Sequence, residues 1–152
     1  MLRFSAVLAV VGLLALAANA SAAPPDREPL PSGAFTTTAC GFDVLVEPVQ
    51  EQFTLMTFPE GRPVVEFVTG PSLIRVSSAS ASIMLNISGP SFTTVNHDGS
   101  IQFSGAGPWL FFDHPFTNLP PLAYVTGRIS FGTDEPTVAA TGRIVDVCAL
   151  LA

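Results

Sequence analysis

From Gly41 to Cys148 the chain is a succession of short runs in which apolar and polar residues alternate, each ended by Gly, Pro, Asn or Asp. Alternation with period two sends successive side chains to opposite faces of a strand, and no stretch of helical length carries a 3.6-residue period. The candidate strands are Gly41 to Glu47, Phe53 to Phe58, Pro63 to Thr69, Leu73 to Ser78, Ser82 to Ser88, Phe92 to Asn96, Ser100 to Ser104, Trp109 to Phe112, Ala123 to Phe131 and Val138 to Cys148. Short strands without intervening helices specify antiparallel sheet. The expected fold is all-β, a single antiparallel domain of about 8–10 short strands, with a β-barrel preferred to a two-sheet sandwich. Asp98-Gly99 is expected to form a two-residue type I′ hairpin turn, in which both positions take positive φ. Ser88-Gly89-Pro90-Ser91 is a second reversal.

An internal repeat sets one register. Thr126-Gly127-Arg128-Ile129 recurs as Thr141-Gly142-Arg143-Ile144. Folding the two strands about Asp134-Glu135 so that Phe131 opposes Val138 places Ile129 opposite Ala140, Gly127 opposite Gly142 and Val125 opposite Ile144, all on one apolar face. Each Thr then opposes the other copy's Arg, and a one-residue slip would set apolar against polar residues. Facing glycines mark a bend of the sheet or the close approach of another segment. The opposite face carries Tyr124, Arg128 and Arg143, either an anion-binding strip or exposed residues that aid solubility.

The ends of the chain indicate its address. Met1-Leu2-Arg3 is a short positive start, Phe4 to Ala18 is almost wholly apolar, and Ala18-Asn19-Ala20 and Ala20-Ser21-Ala22 offer small-residue cleavage sites. This is the pattern of a signal peptide over residues 1–22, and about 15 apolar residues fall short of the roughly 20 that span a bilayer. No stable membrane span is expected after cleavage, and the protein is expected to be secreted, extracellular or in the cell envelope. Residues 23–38 are rich in proline, which removes backbone donors and fixes φ, so a flexible tether is expected there. The all-β domain then occupies 39–152. In an oxidising compartment the two cysteines, Cys40 and Cys148, form one disulfide. It would join the first strand to the last as antiparallel neighbours, a pairing that could close a barrel. Closing so long a loop stabilises by at most roughly 4.7 kcal/mol in the chain-entropy model.

Beyond residue 22 there are five arginines, no lysine and twelve acidic residues, a net charge of −7. That sign argues against nucleic acid and anionic membrane surfaces as partners. No nucleotide-binding glycine pattern, serine-hydrolase elbow or zinc-ligand spacing is present, so no cofactor and no metal is expected. The two histidines, His97 and His114, each adjoin an aspartate, Asp98 or Asp113, but neighbours on a strand point to opposite faces and adjacency makes no dyad. The tryptophan and three phenylalanines of Pro108 to Phe116 are either core or, if exposed, a contact patch. Trp109, Phe111 and Phe116 are its candidate contact residues, with Tyr124, Arg128 and Arg143 beside them. Asn86-Ile87-Ser88 matches the glycosylation sequon, relevant only in a eukaryotic source.

Cys40-Gly41-Phe42-Asp43-Val44, Asn86-Ile87-Ser88-Gly89-Pro90, Asp98-Gly99-Ser100 and Gly142-Arg143-Ile144-Val145-Asp146-Val147-Cys148-Ala149-Leu150 together resemble uncharacterised secreted proteins common in actinobacteria. The resemblance implies export and the disulfide, and it carries no activity. The segment Trp109 to Pro121 is more aromatic and richer in proline than that family. The expected function is therefore a binding or envelope-associated module whose partner is an unknown small molecule or envelope component. The rival expectation is a small secreted β-barrel enzyme, of hydrolase or cyclase type, using His97 or His114. A third is an inhibitor presenting the loop Asp113 to Pro121.

Overall fold

The computed structural model describes residues 23–59 and 61–152. The signal-peptide expectation for residues 1–22 lies outside the described residues. The fold is all-β and antiparallel. Its strands are β1 (Asp26–Pro29), β2 (Phe35–Thr37), β3 (Val44–Glu51), β4 (Thr54–Thr57), β5 (Val64–Thr69), β6 (Ser72–Ser77), β7 (Ser82–Asn86), β8 (Ser91–Val95), β9 (Ile101–Ala106), β10 (Trp109–Phe112), β11 (Leu122–Val125), β12 (Arg128–Gly132), β13 (Ala139–Ala140) and β14 (Ile144–Asp146), followed by the short helix α1 (Val147–Leu151). They form a four-stranded sheet, β2-β3-β6-β7, a three-stranded sheet, β10-β11-β14, and a seven-stranded sheet, β1-β4-β5-β8-β9-β12-β13.

The three-stranded sheet is the middle layer. On one face Leu110, Leu122 and Tyr124 pack with Val44, Val46, Ile74 and Val76 of the four-stranded sheet and with Val147 and Leu151 of α1. On the other, Trp109, Phe111, Ala123 and Val125 pack with Ile129 and Phe131 of β12 and with Val138. Burial on both faces explains why Trp109 to Phe111 and Leu122 to Val125 read as unbroken apolar runs rather than as alternating ones.

The repeat is the corner joining layers. Ile129 pairs with Ala140 in the seven-stranded sheet and Val125 with Ile144 in the three-stranded one, so one register runs through both. Between them, the Thr126 hydroxyl accepts from the Arg143 amide and the Thr141 hydroxyl from the Arg128 amide, each at 2.9 Å. At the bend a Cβ on Gly142 would lie 2.2 Å from the Thr126 carbonyl oxygen, and Gly127 adopts φ +92°. Glycine alone permits both the contact and the conformation, and the ribbon turns there from one sheet into the next.

Several expectations are corrected. Among the described residues fourteen strands form where about 8–10 were expected, because two long runs divide at the corner and residues 23–38 add β1 and β2. The sheets do not close into a barrel and are layered as in a sandwich, because the glycine corner divides the long ribbon between two sheets. The disulfide forms, with Cα atoms 5.3 Å apart, but its strands are not neighbours. Cys40 lies in the turn between β2 and β3, and Cys148 lies in α1, so the bond ties the four-stranded sheet to the helix that ends the middle one. The segment 23–38, expected to be a tether, supplies β1 and β2, paired with β4 and β3. Prolines are tolerated because β1 is an edge strand, where a missing donor costs no ladder bond.

The Asp98-Gly99 turn also differs. Gly99 has φ +84°, and Asp98 does not take positive φ. The Asn96 amide bonds Ser100 and the Gly99 amide bonds Asn96, leaving a three-residue loop with glycine at its left-handed position. The loop is fixed by Asp98, whose carboxylate accepts from the Ser100 amide and hydroxyl and is thereby held below its ordinary pKa.

Candidate functional site: an apolar cleft between the sheets

The rows across the four-stranded sheet build one wall of a cleft. Glu51 and Ile87 flank Ser72 across the strands, and Pro48 pairs with Ile74 in the next row. A bulge at Val49 re-aims this end of β3, and β2 has already stopped, so Pro48 interrupts no hydrogen bond. Leu110 and Phe112 of the middle sheet form a second wall, and Phe53 and Val68 on the side of the seven-stranded sheet a third. The result is two lobes of about 310 and 280 Å³ that share Leu30, Phe53, Ile87 and Leu110 in their walls. Trp109 borders the first lobe, and Phe35 and Phe112, with ring centroids 4.7 Å apart, border the second.

A strap crosses the cleft between β1 and β2. The Leu30 amide donates to the Phe53 carbonyl at 3.0 Å, the Ser32 amide donates to Glu51 at 2.7 Å, and the Ser32 hydroxyl donates to the same carboxylate. Leu30 is lodged over both lobes yet keeps 40% of its surface in water. The lining is overwhelmingly apolar, and Glu51 is its one ionisable side chain among the described residues.

The sequence candidates disperse around this cleft. Trp109 is half-buried, stacked on Phe111 at 5.8 Å and edge-on to Phe131 at 5.7 Å, with part of its indole at the cleft wall. It can lie there because Gly105 lacks a Cβ, which would come within 2.7 Å of the indole. Phe111 is buried in the second core, and Phe116, partly buried, packs on Phe131. Tyr124 donates its hydroxyl to the Asn86 carbonyl at 2.8 Å, and burial pushes its phenol pKa up. Arg128 borders a concavity of about 450 Å³ on the outer face of the seven-stranded sheet, with Phe92, Ser104, Ser130 and Thr141. Tyr124 and Arg143 do not line it. A single sheet walls this dish and a ligand there would stay wet; the cleft between three sheets desolvates more of its occupant.

Neither histidine forms a dyad. His114 Nε2 lies 2.9 Å from the Pro120 carbonyl and Nδ1 3.3 Å from the Phe116 amide. A carbonyl only accepts and an amide only donates, so the ring carries its proton on Nε2 and pins the loop. Asp113, at φ +48°, instead accepts from the buried Thr37 hydroxyl at about 3.2 Å and ties β10 to β2. His97 is exposed in its hairpin loop, beside Arg62. Among the described residues neither ring bonds a Ser, Asp or Glu, and no cluster of three or more metal-binding side chains occurs. No helix among them is long and apolar enough to cross a membrane.

No protein-family model matches this chain, and neither do curated proteins or solved structures. The site is therefore argued from its own residues.

Sequence reasoning missed most of the cleft. Leu30, Ser32 and Glu51 carry no site motif in the sequence, Phe53 and Ile87 read only as strand residues, and Leu110 and Phe112 read as part of the Pro108 to Phe116 cluster. One signal was present: Leu30 is the one bulky apolar residue between Pro24 and Ala34.

Proposed function

We propose that the protein is an exported binding module whose inter-sheet cleft holds an apolar small molecule. The observation that carries this reading is the two-lobed apolar cleft with the half-buried Trp109 in its wall. Lobes of this size and lining are those of small-molecule sites, which are concave and mostly apolar with few polar groups. The disulfide is compatible with export, since such bonds persist in oxidising compartments. The likeness to exported actinobacterial proteins belongs to the same proposal. The histidine arrangement offers an enzymatic reading no base within reach of a nucleophile.

The test uses the neutral apolar dye Nile red. Because the chain has one tryptophan, quenching of its emission on titration reports proximity to the cleft directly. Saturable binding of one dye per chain, with Trp109 quenched, is expected, and Leu30→Glu abolishes it. Absence of saturable binding, or binding unchanged in Leu30→Glu, would overturn the reading. For export, the protein recovered outside the cytosol is expected to begin near residue 23 with both thiols blocked; free thiols there would contradict it.

A further inference from the structure

The seven-stranded sheet packs its inner face, through Ile129 and Phe131, against the middle sheet. Its outer face is built differently. Register carries one row across six of its strands: Arg27 on β1 opposes Met56, followed in turn by Phe67, Phe92, Ser104 and Ser130. Residues directly opposite on neighbouring strands share a face, and Ser130 points away from its neighbours Ile129 and Phe131, so the row lies on the outer side. Phe67 and Phe92, with ring centroids 4.7 Å apart, make an apolar shelf on which Phe92 stays 37% exposed. Beside the shelf, the dish of about 450 Å³ is edged by the hydroxyls of Ser104, Ser130 and Thr141 and by Arg128.

The charge on this face opposes that of the chain. Beyond residue 22 acidic residues outnumber arginines twelve to five. Yet the acidic residues of these strands, Asp26, Glu28 and Glu66, alternate to the inner side, in register with Thr57, Leu55 and Thr93. Glu135, at the β12–β13 turn, has its carboxylate engaged by the Gly132 amide at 2.9 Å. Among the described residues the one ion pair joins Arg75 to Glu47 on the four-stranded sheet, which leaves the exposed guanidinium groups of Arg27 and Arg128 without a carboxylate. An anionic partner complements them.

The other groups narrow its chemistry. An exposed aromatic ring bordered by hydroxyls and a guanidinium fits a molecule with a flat apolar face, a rim of hydroxyls and a carboxylate. A uronic acid has all three: the C–H face of its ring lies on Phe92, its hydroxyls exchange hydrogen bonds with Ser104 and Ser130, and its carboxylate meets the Arg128 fork. An acidic peptide supplies the charge without the ring. Such a sugar keeps its outward hydroxyls in water, so a site walled by one sheet suits it. Arg27 stands five strand spacings from Arg128, roughly 24 Å, so one sugar meets only one of them and a chain of sugars meets both.

We propose that the outer face of the seven-stranded sheet binds an acidic polysaccharide, a linear polyuronate lying across the strands from Arg128 towards Arg27. This face shares no residue with the walls of the cleft, so the two sites stand or fall separately.

Binding of the full disulfide-bonded chain to immobilised alginate, a polyuronate, is compared with binding to neutral dextran and to poly-glutamate at physiological ionic strength. Saturable binding to alginate is expected, at least about tenfold tighter than to either of the others. Arg128→Gln and Phe92→Ala are each expected to weaken it about tenfold, and Arg27→Gln about threefold, with melting curves confirming that each variant is folded. Arg75→Gln, which removes the same charge from the four-stranded sheet, leaves it unchanged. Should Phe92→Ala not fold, the exposed Arg128 carries the comparison. No binding to alginate, equal binding to poly-glutamate or dextran, or the same loss in Arg75→Gln as in Arg128→Gln overturns the proposal. Failure to take up Nile red would remove the cleft reading and leave this one intact.

Discussion

The two halves of the molecule are built on different principles. In the stapled half, the four-stranded sheet, the middle sheet and α1 enclose Val44, Val76, Leu122, Val147 and Leu151, all fully buried, and the disulfide joins its ends. In the wing formed by β1, β4, β5, β8 and β9, no hydrophobic side chain among the described residues is fully buried. The wing is held by backbone pairing and by cross-strand pairs such as Phe67 with Phe92, whose centroids lie 4.7 Å apart. A single layer gains little from burial, so stability is concentrated in the stapled half and opening free energies are lower in the wing. The cleft lies where the two meet, with a firm wall of Ile74 and Leu110 and a less firmly packed one of Phe53 and Val68.

The contrast fails if removing the staple has little effect. Cys40→Ser with Cys148→Ser is expected to destabilise the protein by about 4 kcal/mol, since the bond closes a separation of 108 residues. Denaturant unfolding of the oxidised and double-serine proteins measures this. Next in size is the difference between cores. Leu122→Ala in the middle sheet is expected to cost about 3–4 kcal/mol, whereas Phe92→Ala in the wing costs about 1 kcal/mol, because Phe92 is 37% exposed and leaves no closed cavity. Equal costs from the same unfolding measurement would erase the distinction.

The corner sharpens the comparison further. Gly142→Ala forces a Cβ against the Thr126 carbonyl and is expected to cost about 2–3 kcal/mol, as local strain of this kind does. Melting of the purified variant checks it. The smallest effect is at the wing's β8–β9 hairpin. The folded pKa of Asp98 lies below its ordinary 3.8, so its contribution is present above the unfolded value and is lost as pH falls through the lowered folded one. Asp98→Ala is expected to reduce slightly the stability difference between neutral and strongly acid pH, read from unfolding curves at both; the carboxylate is fully exposed, and the effect is small.

Strands and one register were legible in the sequence because they depend on local periodicity. Each of the ten sequence runs overlaps a strand, although Ala123 to Phe131 and Val138 to Cys148 each divide in two at the corner and the second ends in α1, and the pairings of Ile129 with Ala140 and Val125 with Ile144 follow from apolar matching. The facing glycines already indicated a bend. What alternation could not convey was that the ribbon would change sheets there, since both sides of the bend keep the same register. Nor did proline counts reveal β1, because an edge strand tolerates what an inner one does not. The cleft was least legible. Its walls come from Leu30, Phe53, Ile87 and Leu110, residues remote along the chain that only layer packing brings together.

Amide hydrogen exchange with and without saturating Nile red tests most directly whether the junction between stapled half and wing is the working site. Slower exchange is expected at Leu30, Ser32 and Ile87, whose amides bond Phe53, Glu51 and Ser72 around the cleft, with Ser130 and Ala140 on the outer sheet unchanged. Protection confined to the outer face near Ser130 and Arg128, or none at Leu30 and Ile87, would contradict the account.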